Sequence, residues 1–237
     1  MWVESGDDLT AEALAALLGE REVQSHAVLL SAASHASEWA AADAPDGAVV
    51  VAGHQIAARG RAGAPWNVVP GRGLGFALVL RPQLEAEREG FLYTIVLTAL
   101  ADVCGPDVAI EWPDEVHSSA GRVAATGIDI RLGREGVKTA VVNVMLPDAQ
   151  APRGALLRDV LRAIDERRGA SADAVLEDHR RICATLGRHV YVQLLGGRSR
   201  LEGTAVETLA DGALVIETTA GRRVPVRPQD ISSIRGG

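Results

Sequence analysis

The residues best suited to chemistry lie in one stretch, from His54 to Arg81, which reads HQIAARGRAGAPWNVVPGRGLGFALVLR. Its first half carries Arg59 and Arg61 among glycines, and Trp66 follows. Glycines let a backbone approach a ligand closely, and guanidinium groups supply forked donors that match carboxylate or phosphate. A solvated surface loop has the same composition, so the anion-binding interpretation depends on the neighbouring elements.

The other reactive residue types form no recognisable site. The six histidines are scattered without a pair at ligand spacing, so no metal site is predicted. The Ser31–Ser37 segment lacks the G-x-S-x-G elbow of a hydrolase. Cys104 and Cys183 lie far apart without a C-x-x-C spacing, which predicts a reduced, cytoplasmic protein.

Two apolar runs flank the Gly/Arg loop and must position it. Gly47–Ala52 leads into the loop, and Leu74–Leu80 leads out of it after a turn at Pro70-Gly71. Further strands are predicted for Ala27–Leu30, Val108–Trp112, Arg122–Arg131 and Val137–Leu146. Helices are predicted for Ala11–Leu18, Ser34–Ala42, Phe91–Cys104, Gly154–Arg168 and from the cap Ser171 to Gly187. The last fifty or so residues carry short strands with hairpin signals: Val190–Leu195, Leu201–Thr208, Ala213–Glu217, Arg223–Val226 and Ile231–Ile234.

This order of motifs resembles the biotin–protein ligase family, part of the biotin/lipoate ligase group. The family signature reads approximately Q-x-x-G-R-G-R-x-G-x-x-W, then S-P-x-G, closing on L-R-P. The chain departs from it at Ala58 and Val69, where the family has glycine and serine. The resemblance implies that the ligand-binding residues are Ser34, Gln55, Arg59, Gly60, Arg61, Gly63, Trp66 and Asn143.

The resemblance also implies an α+β fold, with a mixed, largely antiparallel sheet and helices of the class II synthetase-like type. A small C-terminal SH3-like β-barrel is expected to follow. The implied organisation is a short N-terminal extension (1–25), a ligase-like domain (26–186) and the barrel (187–237). The extension is too short for the winged helix-turn-helix of the repressor members, which favours the form without a DNA-binding domain.

The largest departure from the family is Glu111, in the sequence Glu111-Trp112-Pro113-Asp114-Glu115, where the family has K-W-P-N-D. The family lysine is thought to bridge the biotin carboxylate and the α-phosphate of ATP, because two anions must meet as the acyl-adenylate forms. At contact distance and an effective dielectric of 20, one unit-charge interaction amounts to about 4 kcal/mol. Glu111 is therefore expected to impair adenylation unless a nearby arginine supplies the charge or Glu111 points at solvent.

Five further departures fall on the strands after Glu111. Arg122 stands for a second family lysine and keeps its charge, so it is the other candidate catalytic residue. Ala125 replaces a glycine and Asp129 a glutamate. Thr139 and Val141 replace glycines of the family pattern G-x-G-x-N, of which Asn143 survives, and their bulk is expected to narrow the biotin pocket.

In the family's D-S-T-N-like motif the chain keeps only Ser34, which is expected to cap the following helix.

Composition excludes some classes of partner. A net charge of −7 argues against nucleic acid and membrane surfaces, and no apolar run is long enough to span a bilayer. Three functions stay open. The chain is a degenerate relative that still holds a small carboxylate or nucleotide; an active ligase that joins biotin to a carrier protein with ATP and Mg²⁺; or a non-catalytic interaction module. The resemblance also suggests a homodimer.

Overall fold

The structure, a computed structural model, describes residues 8–149, 152–197 and 200–236. The chain divides into two compact units: Met1–Gln83 with Val123–Arg162, and Leu84–Arg122 with Ala163–Gly237. The predicted domain boundaries at residues 25 and 186 stay a prediction. Residues 1–7 of the predicted N-terminal extension lie outside the described residues.

The helices and strands are numbered in chain order. The first unit's N-terminal part holds α1 (Ala11–Leu18), β1 (Val23–Leu29), α2 (Ala32–Ala41), β2 (Val49–Gln55) and β3 (Leu74–Leu80). There follow α3 (Phe91–Cys104), β4 (Ala109–Glu111), β5 (Glu115–Ser118), β6 (Gly121–Gly133), β7 (Gly136–Leu146), α4 (Arg153–Gly169) and α5 (Ala172–Ile182). The C-terminal strands are β8 (His189–Leu194), β9 (Arg200–Thr208), β10 (Leu214–Glu217), β11 (Arg223–Val226) and β12 (Ile231–Gly236).

A mixed, largely antiparallel sheet forms the frame of the first unit, as predicted. Its strands are ordered β1-β2-β3-β7-β6; β1 and β2 are parallel, and every later neighbour in this order is antiparallel. All seven residues of β3 are buried, which suits a continuous apolar strand in the middle of a sheet. One face of the sheet is covered by α2, whose buried residues are alanines and whose half-buried Trp39 packs against the same cluster.

Helix α2 begins earlier than predicted, and the predicted cap at Ser34 is wrong. Ser31 is the N-cap: its backbone is extended, and its hydroxyl accepts the Ser34 N–H at 3.3 Å. Ser34 lies one turn inside the helix and is exposed. At the other end, the Arg81 guanidinium donates to the carbonyls of Ala40 (3.2 Å) and Ala44 (2.9 Å). Such bonds satisfy carbonyls that a helix end leaves open.

The second unit is built around α3, which is buried from Phe91 to Ala101, as its continuous apolar sequence predicts. Helix α5 is capped by Ser171 as predicted, but it ends at Ile182 rather than at Gly187, because Cys183 adopts an extended conformation. The predicted loop His117–Gly121 is also shorter, since β5 extends to Ser118.

The C-terminal strands form a five-stranded antiparallel sheet in the order β11-β10-β9-β8-β12. This is the arrangement expected of an SH3-like domain. Its apolar core includes the Trp112 side chain, whose indole N–H donates to the Gly212 carbonyl at 3.1 Å. No helix in the described part of the chain combines the length and apolar character needed to cross a membrane.

Candidate functional site

A cavity of about 170 Å³ lies in the first unit, between the end of β2 and the segment that leads into β3. Its lining contains no charged side chain; the polar groups come from His54, Gln55 and Asn67. The remaining lining residues are small or apolar: Ala52, Gly53, Ile56, Trp66, Val68, Val69, Pro70, Gly73 and Gly75. Two of the predicted ligand-binding residues, Gln55 and Trp66, thus share one cavity.

Gln55 is oriented by two backbones. Its Oε1 accepts the N–H of Ala32, the first residue of α2, at 2.8 Å. Its Nε2 lies over Gly75, where an added Cβ would come within 2.6 Å of it. A glycine in a strand lets another group approach the backbone closely, and at Gly75 that group is the Gln55 carboxamide. Gln55 therefore connects the start of α2 to the cavity wall.

The Gly/Arg loop is a closed structure held by its own backbone. The Gly60 N–H donates to the Ala64 carbonyl at 2.8 Å, and the Trp66 N–H to the Ala58 carbonyl at 3.1 Å. Ala62 and Gly63 have φ of 52° and 75°, the left-handed region that glycine tolerates and alanine seldom adopts. The Arg59 guanidinium donates to the Gly63 carbonyl at 3.1 Å. These hydrogen bonds fix the backbone conformation at Arg59 and Arg61.

Trp66 packs against the loop and also lines the cavity. Its side chain is buried in a small cluster with Ala58, Ala125 and Met145. A Cβ at Gly60 would fall 2.1 Å from the indole Nε1, so only glycine fits beneath the ring. Trp66 is therefore both a core residue and part of the cavity wall.

Asn143 joins the loop to the sheet. It lies on β7, is 4% exposed, and its Nδ2 donates to the Arg59 carbonyl at 2.7 Å. Its Oδ1 is buried and has no hydrogen-bond partner within the described parts of the chain. A buried acceptor without a partner is costly, so this atom is suited to a ligand donor.

The bulky replacements on β7 fill space on the α2 side of the sheet. Val141 is buried in the cluster formed by the α2 alanines with Ala77 and Val79. The Thr139 hydroxyl accepts a hydrogen bond from Arg81 at 3.4 Å. Neither residue lines the cavity, so the expected narrowing of a pocket by their bulk is not seen there.

The two candidate catalytic residues belong to the second unit, and each is already paired there. The Glu111 Oε1 lies 2.8 Å from Arg188 Nη1, and its Oε2 accepts from the Thr185 hydroxyl at 3.4 Å. Glu111 is therefore oriented by partners and does not simply point at solvent. Thr185 also accepts the Trp112 backbone N–H at 2.9 Å, which ties the end of β4 to the segment after α5.

Arg122 pairs with Glu115, at 2.6 Å between Nη1 and Oε1. The other carboxylate oxygen of Glu115 lies 2.7 Å from His117 Nε2. Burial raises the pKa of Glu115, but the hydrogen bonds and charges of His117 and Arg122 outweigh it and hold the pKa below its ordinary value. Glu115 is thus an ionised carboxylate whose charge neutralises the cation at position 122.

Sequence reasoning missed three residues of these arrangements: Gly75, Gly127 and Arg188. The two glycines interrupt apolar strands, a pattern that indicates a close approach of another group. A Cβ at Gly127 would lie 2.9 Å from the Arg61 backbone nitrogen. Arg188 carries no comparable signal, because its pairing with Glu111 joins residues 77 positions apart.

Known proteins resemble the chain in sequence over part of their length. No family model matches it. It is 25% identical over 154 residues to the bifunctional ligase/repressor BirA of Bacillus subtilis, covering 62% of this chain and 47% of that protein. It is 37% identical over 109 residues to the biotin–[acetyl-CoA-carboxylase] ligase of Paracoccus denitrificans, covering 44% of this chain and 45% of that protein. The chain thus spans about half the length of these two relatives.

A longer match joins the chain to the Mycobacterium tuberculosis biotin–[acetyl-CoA-carboxylase] ligase, with 25% identity over 216 residues and 80% of each protein covered. The fold matches the Aquifex aeolicus biotin protein ligase in complex with biotin and ATP, with a TM-score of 0.70, 20% identity, and 91% of this chain and 99% of that one covered. The fold also matches a biotin protein ligase-like protein of unknown function from Silicibacter sp., with a TM-score of 0.67 and 14% identity. That match covers 88% of this chain and 95% of the other.

The sequence matches and the fold matches agree with the motif order around the Gly/Arg loop. The low identities agree with the departures at Ala58, Glu111, Thr139 and Val141. The chain therefore resembles the biotin–protein ligases in sequence and shares their fold, at low identity.

Proposed function

We propose that this biotin–protein ligase-like protein binds a small carboxylate ligand but forms the acyl-adenylate poorly or not at all. Two of the relatives named above are biotin–[acetyl-CoA-carboxylase] ligases, and one matching structure holds biotin and ATP. Biotin and ATP are therefore the first ligands to consider. The observation that carries the proposal is the Glu111–Arg188 ion pair at the position of the family's bridging lysine.

The residues around the cavity fit a small ligand with a carboxylate. Arg59 is exposed beside the cavity-lining Trp66 in one closed loop and keeps most of its donors for an anion. The cavity, at about 170 Å³, is smaller than the roughly 300 Å³ at which ligand pockets usually begin, so part of a biotin-sized ligand would stay outside it.

Glu111 and Arg122, at the positions of the two family lysines, do not fit adenylation. Joining a carboxylate to the α-phosphate of a nucleotide requires a cation where the two anions meet. Glu111 brings a negative charge to that position, and its partner Arg188 is neutralised by it. Arg122, the other candidate cation, is neutralised by Glu115. No step through ATP or Mg²⁺ is therefore assigned to these residues.

Calorimetric titration of the purified protein tests the binding half of the proposal. Biotin, lipoate, octanoate and ATP are titrated into the wild type, Arg59→Ala and Arg131→Ala, since both arginines are exposed. At least one carboxylate should bind the wild type and Arg131→Ala equally, and Arg59→Ala about tenfold more weakly, the loss of one charge-assisted hydrogen bond.

Each outcome of that titration has a distinct meaning. Binding that is equal in all three proteins would remove Arg59 from the site. An absence of binding by every carboxylate would favour the third function, an interaction module. The active-ligase alternative is tested separately, by turnover.

A further inference from the structure

A second cavity, of about 280 Å³, is lined by residues of the second unit. It is larger than the first cavity and close to the roughly 300 Å³ at which ligand pockets usually begin. Its walls come from the end of α3, the turn that follows α3, and the C-terminal parts of α4 and α5. One part of the wall carries no charge and is mainly apolar: Thr98, Ala101, Gly105, Pro106, Val108 and Ile182. This part suits an apolar group of a ligand.

The other part of the wall is a row of four charged side chains with alternating sign. Arg167 donates to both carboxylate oxygens of Asp102, at 2.7 and 2.8 Å, and to Asp178 at 2.5 Å. Asp178 also accepts from Arg181 at 2.5 Å. The hydrogen bond from Arg167 is the largest of the effects that lower the pKa of Asp178, so this carboxylate stays ionised between the two arginines. The row therefore presents charges of both signs beside an apolar wall.

Arg181 and Asp178, at one end of the row, keep hydrogen-bonding capacity. The Arg181 side chain is 71% exposed, and Asp178 is its one partner within the described ranges of the chain, so most of its five N–H donors stay open to a ligand. Each Asp178 oxygen accepts one of the hydrogen bonds named above, and a carboxylate oxygen can accept two. This pair can therefore hold an anion and a cation side by side.

We propose that this cavity binds a free α-amino acid with an apolar side chain. The carboxylate and the ammonium of an α-amino acid are attached to the same carbon, so they lie as neighbours, as Arg181 and Asp178 do. Arg181 binds the carboxylate through charge-assisted hydrogen bonds, Asp178 accepts from the ammonium, and the apolar wall covers the side chain. A fatty acid offers no donor to Asp178, and a simple amine offers no acceptor to Arg181.

Calorimetric titration of the full chain with valine, leucine, methionine and phenylalanine tests the site. At least one of these amino acids should bind. The analogues of the tightest binder that lack the amine or the carboxylate should bind at least about tenfold more weakly, because each has lost one charge-assisted contact. Glycine should also bind more weakly, because it brings no apolar group to the wall.

Three variants assign the binding to this cavity. Arg181→Ala should lower the amino-acid affinity about tenfold, and the melting temperature should hardly change because Arg181 is exposed. Arg222→Ala is the matched control, since it removes an exposed arginine of the same unit that does not line the cavity. Arg59→Ala should leave the amino-acid affinity unchanged, so a failure of this site can be told from a failure of the proposed function.

An absence of binding by all four amino acids would overturn the proposal. So would an affinity that is unaltered in Arg181→Ala. An analogue without the amine or without the carboxylate that binds as tightly as its parent amino acid would overturn it too, and would identify the cavity as a site for a simple carboxylate or a simple amine.

Discussion

His179 is a buried ionisable residue without an evident partner. It lies on α5 and is 1% exposed, and neither ring nitrogen has a hydrogen-bond partner among the residues that the structure describes. Burial lowers the pKa of His179 to about 4, and the charge of Arg180 contributes. Because the folded pKa lies below the unfolded one, the unfolded chain binds a proton that the folded chain excludes, and stability is lost as the pH falls below about 6.5 towards 4.

Replacing this imidazole should flatten the acid side of the stability curve. His179→Leu should lose less stability between pH 7 and pH 4 than the wild type, by up to about 3 kcal/mol, from a limiting slope of about 1.4 kcal/mol per pH unit. Urea unfolding at several pH values measures this. The exposed His54→Leu variant controls for the loss of one imidazole. Parallel curves for the wild type and His179→Leu would show that His179 does not exclude the proton.

Replacing Glu111 by lysine should lower the stability of the fold, which the sequence alone does not indicate. Glu111→Lys would place an ammonium beside Arg188, where the carboxylate now lies 2.8 Å away. Both side chains are partly exposed, so the expected loss is about 1 kcal/mol of unfolding free energy. Arg188→Glu combined with Glu111→Lys should restore most of it.

Thermal unfolding of the two single variants and the combined variant forms a double-mutant cycle. Independent effects of the two substitutions would contradict the pairing. Nucleotide affinity measured on the same proteins at two salt concentrations then reports the charge effect alone. The combined variant should bind no more tightly than the wild type, because the net charge of the pair is unchanged.

Among the elements, the C-terminal end of α2 is stabilised by Arg81, which the sequence marks only as the arginine of the closing L-R-P motif. Arg81 donates to the carbonyls of Ala40 and Ala44, and its own N–H donates to Asp46 at 2.7 Å. Arg81→Leu keeps the backbone donor and removes the guanidinium, so the end of α2 should fray at a cost of about 1–3 kcal/mol. Hydrogen exchange of the α2 amides measures the fraying.

Arg81→Lys is the informative comparison for that variant. A single ammonium cannot reproduce the planar fork that reaches both carbonyls, so it should restore part of the stability only. Protection of the α2 amides that is unaltered in Arg81→Leu would contradict the capping role.

Elements with a strong local signal were predicted well. The continuous apolar sequences of β3 and α3 give the observed bounds, Leu74–Leu80 and Phe91–Cys104. The start of α2 and the end of α5 were missed, because a serine three residues earlier supplies the cap and Cys183 turns extended without a glycine or proline to mark it. The loop's residue types were recognisable, whereas its attachment to Gly127 and Asn143 depends on strand pairing over long separations.

At the scale of the whole molecule, the family and fold were accessible from motif order, and the state of the reacting residues was not. Loss of the lysine at position 111 is visible in the sequence, but the partner of Glu111 lies 77 positions away, and nothing in the motif marks Glu115 as the partner of Arg122. Position 111 holds an anion and the cation at position 122 is paired with Glu115, so neither position supplies a free cation. Neither composition nor periodicity indicates this pairing.

Pyrophosphate release by the unmodified protein measures adenylation itself. The purified chain is incubated with biotin, ATP and Mg²⁺, and pyrophosphate and biotinyl-adenylate are quantified per mole of protein. No adenylate should form above the level without enzyme over many hours, while a carboxylate still binds in the titration described above. Stoichiometric adenylate and pyrophosphate within minutes would contradict this expectation and show that another cation serves the reaction.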